Sequence, residues 1–333
     1  GSTITGLDMA VGIAYGTLES VNIDLGSAGE TFTIESTHVG TTTLDTIDGE
    51  DTVNEQTKSG ATTINGGSEN DTFIICETSN VVDNISSALT VNGQTGSDTL
   101  NVDDSGDGAI NDGVLTGSTI TGLDMAVGIT YGTLETLNID LGSAADTFTI
   151  QTTHFGATNL NTQAGGDTVF VETTSGITTI ETEGGSDTIN VRTIDAATII
   201  RAGDQNDTIN VGTLAPTGGG TLNEINAPLT IEGDPDYDIL NLDDSGDPNP
   251  NSGTITATQI LGFGMTAAIT YATIEQVDFA FGDGGTDLTI AGTSCDSIFN
   301  LATGGGDDVI NIQATCGALN VNLQGGDDVA NLG

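Results

Sequence analysis

The chain has 333 residues, with 48 acidic side chains against three Lys and Arg, for a formal net charge of −45. That balance repels nucleic acid and anionic membrane surfaces, so cations or cationic surfaces are the expected partners. Hydrophobic residues reach 35% and aromatics only 4%, with no Trp, and their regular placement points to a narrow aliphatic core rather than to disorder.

Acidic, glycine-rich turns recur along the chain, each leading into a short β-branched run. Glu30, Asp51, Asp71, Asp98, Asp146, Asp167, Asp187, Asp207, Asp238, Asp287, Asp308 and Asp328 mark the end of these turns, and most steps between them are 20 or 21 residues. A fixed period of this length signals a stacked solenoid. Within a repeat, Ile177 to Glu181 and Asp187 to Val191 alternate apolar and polar residues between turn formers, as strands do. Two or three such strands plus turns account for one coil. A single coil cannot bury its aliphatic face, whereas stacking sets Ile189 over Ile209 and Val191 over Val211. The expectation is an all-β, right-handed parallel β-solenoid (β-helix) of about 20-residue rungs stacked in one continuous rod, the handedness following from parallel crossovers. No apolar stretch is long enough for a membrane span.

A longer unit is superposed on the short one. Segments 2–35 and 118–151 differ at six of 34 positions, and a degenerate third copy begins at Thr254. Tyr15, Tyr131 and Tyr271 mark equivalent places, 116 and 140 residues apart. The cassettes run over 1–100 (truncated), 101–240 and 241–333 (truncated), and the mid-cassette opening leads us to expect a slice of a larger protein. NVDDSGDG at Asn101 and NLDDSGDP at Asn241 open the later two cassettes. Cys295 and Cys316 are one repeat step apart, so they either bridge adjacent rungs or act as two small buried hydrophobes. Cys76 lacks such a partner and is read as packing.

The turn Gly66-Gly67-Ser68-Glu69-Asn70-Asp71-Thr72-Phe73-Ile74, like Thr303 to Asn311, resembles the glycine- and aspartate-rich calcium repeats of RTX proteins with one glycine replaced. The resemblance implies calcium at one edge of the solenoid, since only one acidic turn occurs per coil. Calcium takes six to eight hard oxygens, which tight glycine turns and stacked carboxylates supply. The candidate ligands are Glu69, Asp71, Asp98, Asp167, Asp187, Asp204, Asp207, Asp307, Asp308, Asp327 and Asp328. Asp103, Asp104, Asp107 and their counterparts Asp243, Asp244, Asp247 are second candidates. The plain structural alternative is that each Asp makes an Asx-turn to its own backbone and starts the strand.

Catalysis finds little support. His38 and His154 occupy matching repeat positions, and no acidic or basic constellation breaks the repeat. Threonine runs such as Thr41 to Thr43 are read as β-propensity on a half-exposed face rather than as an ice-binding array. The cassette resembles the β-strand repeats of very large bacterial surface and secreted proteins, described as calcium-binding and adhesin-like. That implies a non-enzymatic, extracellular or cell-surface stalk, adhesin or filament segment, rigidified by calcium, with neighbouring copies and surface glycans as further partners. The alternatives are a carbohydrate-active β-helix enzyme, and a halophile's surface protein whose acids bind hydrated salt without discrete metal sites.

Overall fold

A computed structural model describes residues 3–7, 9–76 and 80–333; Gly1 and Ser2 of the opening repeat lie outside the described residues. Almost every regular element is a short strand, and Val82–Asn84 forms a single 3-10 turn. Among the described residues no helix is long and apolar enough to cross a membrane. The strands build a parallel β-solenoid that divides into two compact units, Gly1–Ser143 with His154–Asn159, and Ala144–Thr153 with Leu160–Gly333.

In the first unit each rung gives one strand to each of two parallel sheets. One sheet stacks Ser20–Asp24, Thr41–Asp45, Thr62–Ser68, Leu89–Thr95 and Ile129–Gly132. The other stacks Thr31–Ile34, Thr52–Glu55, Thr72–Ile75, Thr99–Asp103 and Thr136–Asp140. Register follows the repeat, so Phe32, Val53, Phe73, Leu100 and Leu137 form one column. Burying such columns removes apolar surface that no single rung could cover.

The second unit repeats the scheme. Phe148, Val169, Ile189, Ile209, Leu240, Val277 and Phe299 stack in one sheet, and Ile180, Ile200, Ile231 and Tyr271 in the other. The expected ladders of Ile189 with Ile209 and Val191 with Val211 are present. Cys295 and Cys316 form a disulfide between neighbouring rungs, with Cα atoms 4.4 Å apart. Stacked asparagine amides add a further coupling: Asn210 donates to Asn190 and Asn241 to Asn210, both at 2.9 Å.

The long cassette differs from the all-parallel expectation. Its extra residues form a three-stranded antiparallel insert, Asp112–Leu115, Thr119–Gly122 and Ile129–Gly132, repeated as Asn251–Ile255, Gln259–Gly262 and Ile269–Ala272. Two tight reversals make this possible. Thr116 and Thr256 close the first of each pair by accepting from Ser118 and Thr258 N–H through their hydroxyls. Gly122 and Gly262 open the second at positive φ. Two reversals restore the original strand direction, so the second-unit insert joins Leu229–Glu232 on one side and Thr286–Ile290 on the other, both in parallel. The cassette tyrosines pin the insert, Tyr131 and Tyr271 donating their hydroxyls to the carbonyls of Thr116 and Thr256.

The 20-residue turn has its own rule. Two positions, four and two residues before the terminal Asp, lie in the left-handed region, as at Gln163 and Gly165, Glu183 and Gly185, and Gly203 and Gln205. A Cβ on Gly185 would fall 1.2 Å from the Gly165 carbonyl oxygen of the stacked turn, whereas one on Gly184 meets nothing within 4 Å. Gly185→Ala should therefore lose about 1–3 kcal/mol of unfolding free energy to overpacking, and Gly184→Ala should stay within about 0.5 kcal/mol of the parent. Equal effects in denaturant unfolding would show that turn stacking does not constrain the fold.

Candidate functional site

The terminal Asp of each turn points inward and up the stack. Its Oδ1 accepts the backbone N–H of the matching Asp in the preceding rung. In the first unit Glu30 N–H donates to Asp51 at 2.7 Å, Asp51 to Asp71 at 2.9 Å and Asp71 to Asp98 at 2.9 Å. In the second unit the series runs from Asp146 to Asp167, Asp187, Asp207 and Asp238, at 2.7–2.9 Å. Asp308 accepts from Thr286 and donates to Asp328. Where the antiparallel insert intervenes, the acceptor is the longer glutamate: Asp98 N–H donates to Glu135, and Asp238 N–H to Glu275.

This ladder absorbs Asp71, Asp98, Asp167, Asp187, Asp207, Asp308 and Asp328 of the sequence-derived candidates. Each Asp serves its neighbour's backbone, where the Asx alternative had it serve its own. Glu69, Asp204, Asp307 and Asp327 instead sit on the exposed side of the turns. There Asp307 accepts the backbone N–H of Asp327 at 2.9 Å. Asp287, read as a period marker, is displaced by one: Thr286 aligns with Asp308, and the Asp287 carboxylate is exposed and accepts from Asn311.

One carboxylate oxygen in several ladder members is buried with no hydrogen-bond partner, including Oδ2 of Asp71, Asp98, Asp207 and Asp238. Burial disfavours the charged form. It pushes Asp207 up to about 8, with Asp187, Asp238 and Asp236 adding to the rise against the bond from Asp187 N–H. Burial likewise takes Asp71 and Asp238 to about 7 and Asp187 to about 6. The residue five places earlier modulates this. Burial raises Asp167 and Asp187 too, with Thr162 and Thr182 offsetting part of the rise, whereas Gly66, Ala202 and Gly233 stand before the other three.

Carboxylic acids converge elsewhere. Asp83, Asp104 and Asp107 bring carboxylate oxygens within 4.8 Å of one another, forming the one such group among the described residues. Asp104 and Asp107 belong to the cassette-opening loop. Asp83 was not among the sequence candidates, although it precedes Asp104 by 21 residues, one rung, and that spacing was the signal available. Val82 N–H donates to Asp104 Oδ1 at 2.9 Å, and the Asn111 amide donates to Asp107 Oδ2 at 2.6 Å. Burial, then Asp107 and Asp124, push the Asp83 carboxyl above its ordinary range.

The equivalent loop of the second unit is built differently. Adding the 140-residue cassette offset, Asp104, Asp107 and Asn111 become Asp244, Asp247 and Asn251, but Asp83 becomes Asn223 and Asp124 becomes Gly264. Asn223 donates to Asp247 Oδ2 at 2.9 Å, and Asn251 donates to Asp244 and Asp247 at 2.8 and 3.2 Å. Burial would raise Asp247, but the Asn249 N–H and the amides of Asn223, Asn251 and Asn249 outweigh it and hold the carboxyl below its ordinary range. One loop therefore closes with amide donors, while its twin sets a third carboxylate against the same pair.

No protein-family model matches the chain, and no curated protein sequence matches it significantly.

The ladder predicts an inverted pH response. Because the folded-state pKa values of Asp71, Asp187, Asp207 and Asp238 are raised, the folded chain binds more protons than the unfolded chain between about pH 4 and 8. Their contribution to stability is complete on the acid side and is lost as pH rises through about 8. Calorimetry should find Tm falling from about pH 5 to about pH 8, and a flat or rising profile would mean that the ladder stays ionised. At pH 8, Asp207→Asn, which keeps the acceptor, should retain more stability than Asp207→Ala, which orphans the Asp187 N–H at a cost of about 1–3 kcal/mol.

Proposed function

We propose that this chain is a non-enzymatic structural segment of an extracellular fibre, filament or adhesin, stiffened by calcium. The observation that carries the structural part is the destination of the turn acids. They hold one rung's backbone to the next instead of converging on a substrate-sized space. A molecule so organised resists shear between rungs and presents a strongly anionic exterior to cations, to neighbouring copies and to surface glycans. The Cys295–Cys316 bridge supports an oxidising compartment, where such bonds persist.

For calcium, the supporting site is Asp83, Asp104 and Asp107. Its amide-closed twin supports that reading, because identical backbone frames differ where the amide of Asn223 is replaced by a carboxylate. Like charges at that separation need a counter-charge, and calcium accepts carboxylate, amide and carbonyl oxygens with flexible geometry.

Calcium added to chelated protein should raise Tm. With affinity in the 10⁻⁴–10⁻³ M class of extracellular modules, about 10 mM calcium should contribute on the order of 1–3 kcal/mol. Asp83→Asn installs the residue that the twin carries, so it should match the parent without calcium and show no calcium-dependent shift. Calorimetry that finds no calcium response in the parent would remove the ion from this proposal, and a full response in Asp83→Asn would move it to another site.

A further inference from the structure

One constellation in the first unit breaks the repeat from inside. Thr52–Glu55 is stacked in register between Thr31–Ile34 and Thr72–Ile75, so Glu55 occupies a column whose neighbours are Ile34 and Ile75. Three residues on, Lys58 sits where the turn pairs with Ile85. Both side chains are interior, Glu55 at 0% and Lys58 at 2% exposure. Neither Oε1 nor Oε2 of Glu55, nor Nζ of Lys58, has a hydrogen-bond partner.

Such burial is hard to reconcile with two free ions. A buried carboxylate and a buried ammonium each cost several kcal/mol unless closely paired and hydrogen-bonded, and no ion pair joins these two. The same surroundings suit the neutral acid and the neutral amine. Burial raises the Glu55 carboxyl to about 8 and lowers the Lys58 amine to about 8, each partly offset by the other's charge. The nearby Cys76 thiol is pushed up to about 12, by burial first and then by Glu55, Asp104, Asp103 and Asp83. It therefore stays protonated and does not compete as a nucleophile.

We propose that Glu55 and Lys58 are a self-modifying pair that condenses into an intramolecular amide inside the solenoid. The Nζ lone pair attacks Cδ of the protonated carboxyl, forming the N–C bond. The tetrahedral adduct breaks a C–O bond, and its hydroxyl leaves with a proton from nitrogen as one water. No oxidant, reductant or co-reactant enters. Reaction requires a rotamer change that brings Nζ onto Cδ, which the long lysine stem and the glutamate methylenes allow, and the tethering of both groups to one short segment favours that encounter. Exclusion of bulk water favours condensation and protects the product from hydrolysis. The amide replaces two ionisable groups with a neutral one.

Intact mass spectrometry of the unfolded, disulfide-reduced chain tests this. The expected mass is lower than that of the sequence by one water, with trypsin failing to cut after Lys58 and fragmentation placing the loss on the segment from Glu55 to Lys58. Lys58→Met should return to its own sequence mass. A parent chain at full sequence mass that is cut after Lys58 overturns the proposal. So does a water loss that persists in Lys58→Met, which would belong to a cyclised Asp-Gly such as Asp48-Gly49. Because the parent chain is itself measured, a variant that fails to fold does not weaken the test.

Discussion

Everything in this fold depends on giving the N–H of each turn's last residue an acceptor. Within the strands the parallel ladder supplies acceptors automatically, Thr72 N–H for example reaching the Asp51 carbonyl. The N–H of the turn's last residue has no such partner and is buried, and an orphaned buried donor costs about 1–3 kcal/mol. A carboxylate from the next rung meets the need, and only a short side chain at that position can reach back over one inter-strand spacing of about 4.8 Å. That explains why Asp recurs at the end of the turn; Glu135 and Glu275 fill the same acceptor role on strands paired directly with those that follow Asp98 and Asp238. The glycines follow from the same demand, since a turn that stacks on its own copy leaves no room for a Cβ at positions such as Gly185.

The periodicity of these acids made the solenoid, its rung length and the vertical columns legible before any coordinates. Spacing alone could not show which oxygen meets which N–H. Asp187 looks the same in sequence whether it closes its own turn or holds the backbone of Asp167, because both need an Asp before a β-branched run. The offset at Asp287 has a similar origin: Thr286 and Asp287 are both strand starters, and only the register of Asp287 with Val309 separates them. The antiparallel insert was hidden because its strands carry the same alternation as parallel ones, and direction leaves little mark on composition.

Function is written where copies of one frame diverge. The loops around Asp104 and Asp244 have the same backbone hydrogen bonds, from Val82 and Leu222 respectively. They differ in whether an amide or a carboxylate stands one rung below. In the second unit the negative charge of Asp247 is solvated by amide donors from Asn223, Asn249 and Asn251. In the first unit Asp83 offers no donor, and Asn111 alone of the loop's side-chain amides donates to Asp104 and Asp107. A repeat lets one copy remain structural while another acquires a ligand, because the shared frame is already paid for by the stack.

The interior shows two ways of tolerating polar burial. Ladder carboxylates keep one oxygen bonded to a backbone N–H, and the energetic problem of the second oxygen is met by proton uptake, which the raised titration of Asp71, Asp207 and Asp238 reflects. Glu55 and Lys58 lack that backbone bond. The column of Glu55 is aliphatic above and below, the polar atoms of both residues find no partner, and both side chains are buried. A solenoid otherwise so consistent in satisfying its turn donors would not retain such a pair as free ions. Condensation into one amide removes the ionisable ends of both residues from that interior, where neither has a partner.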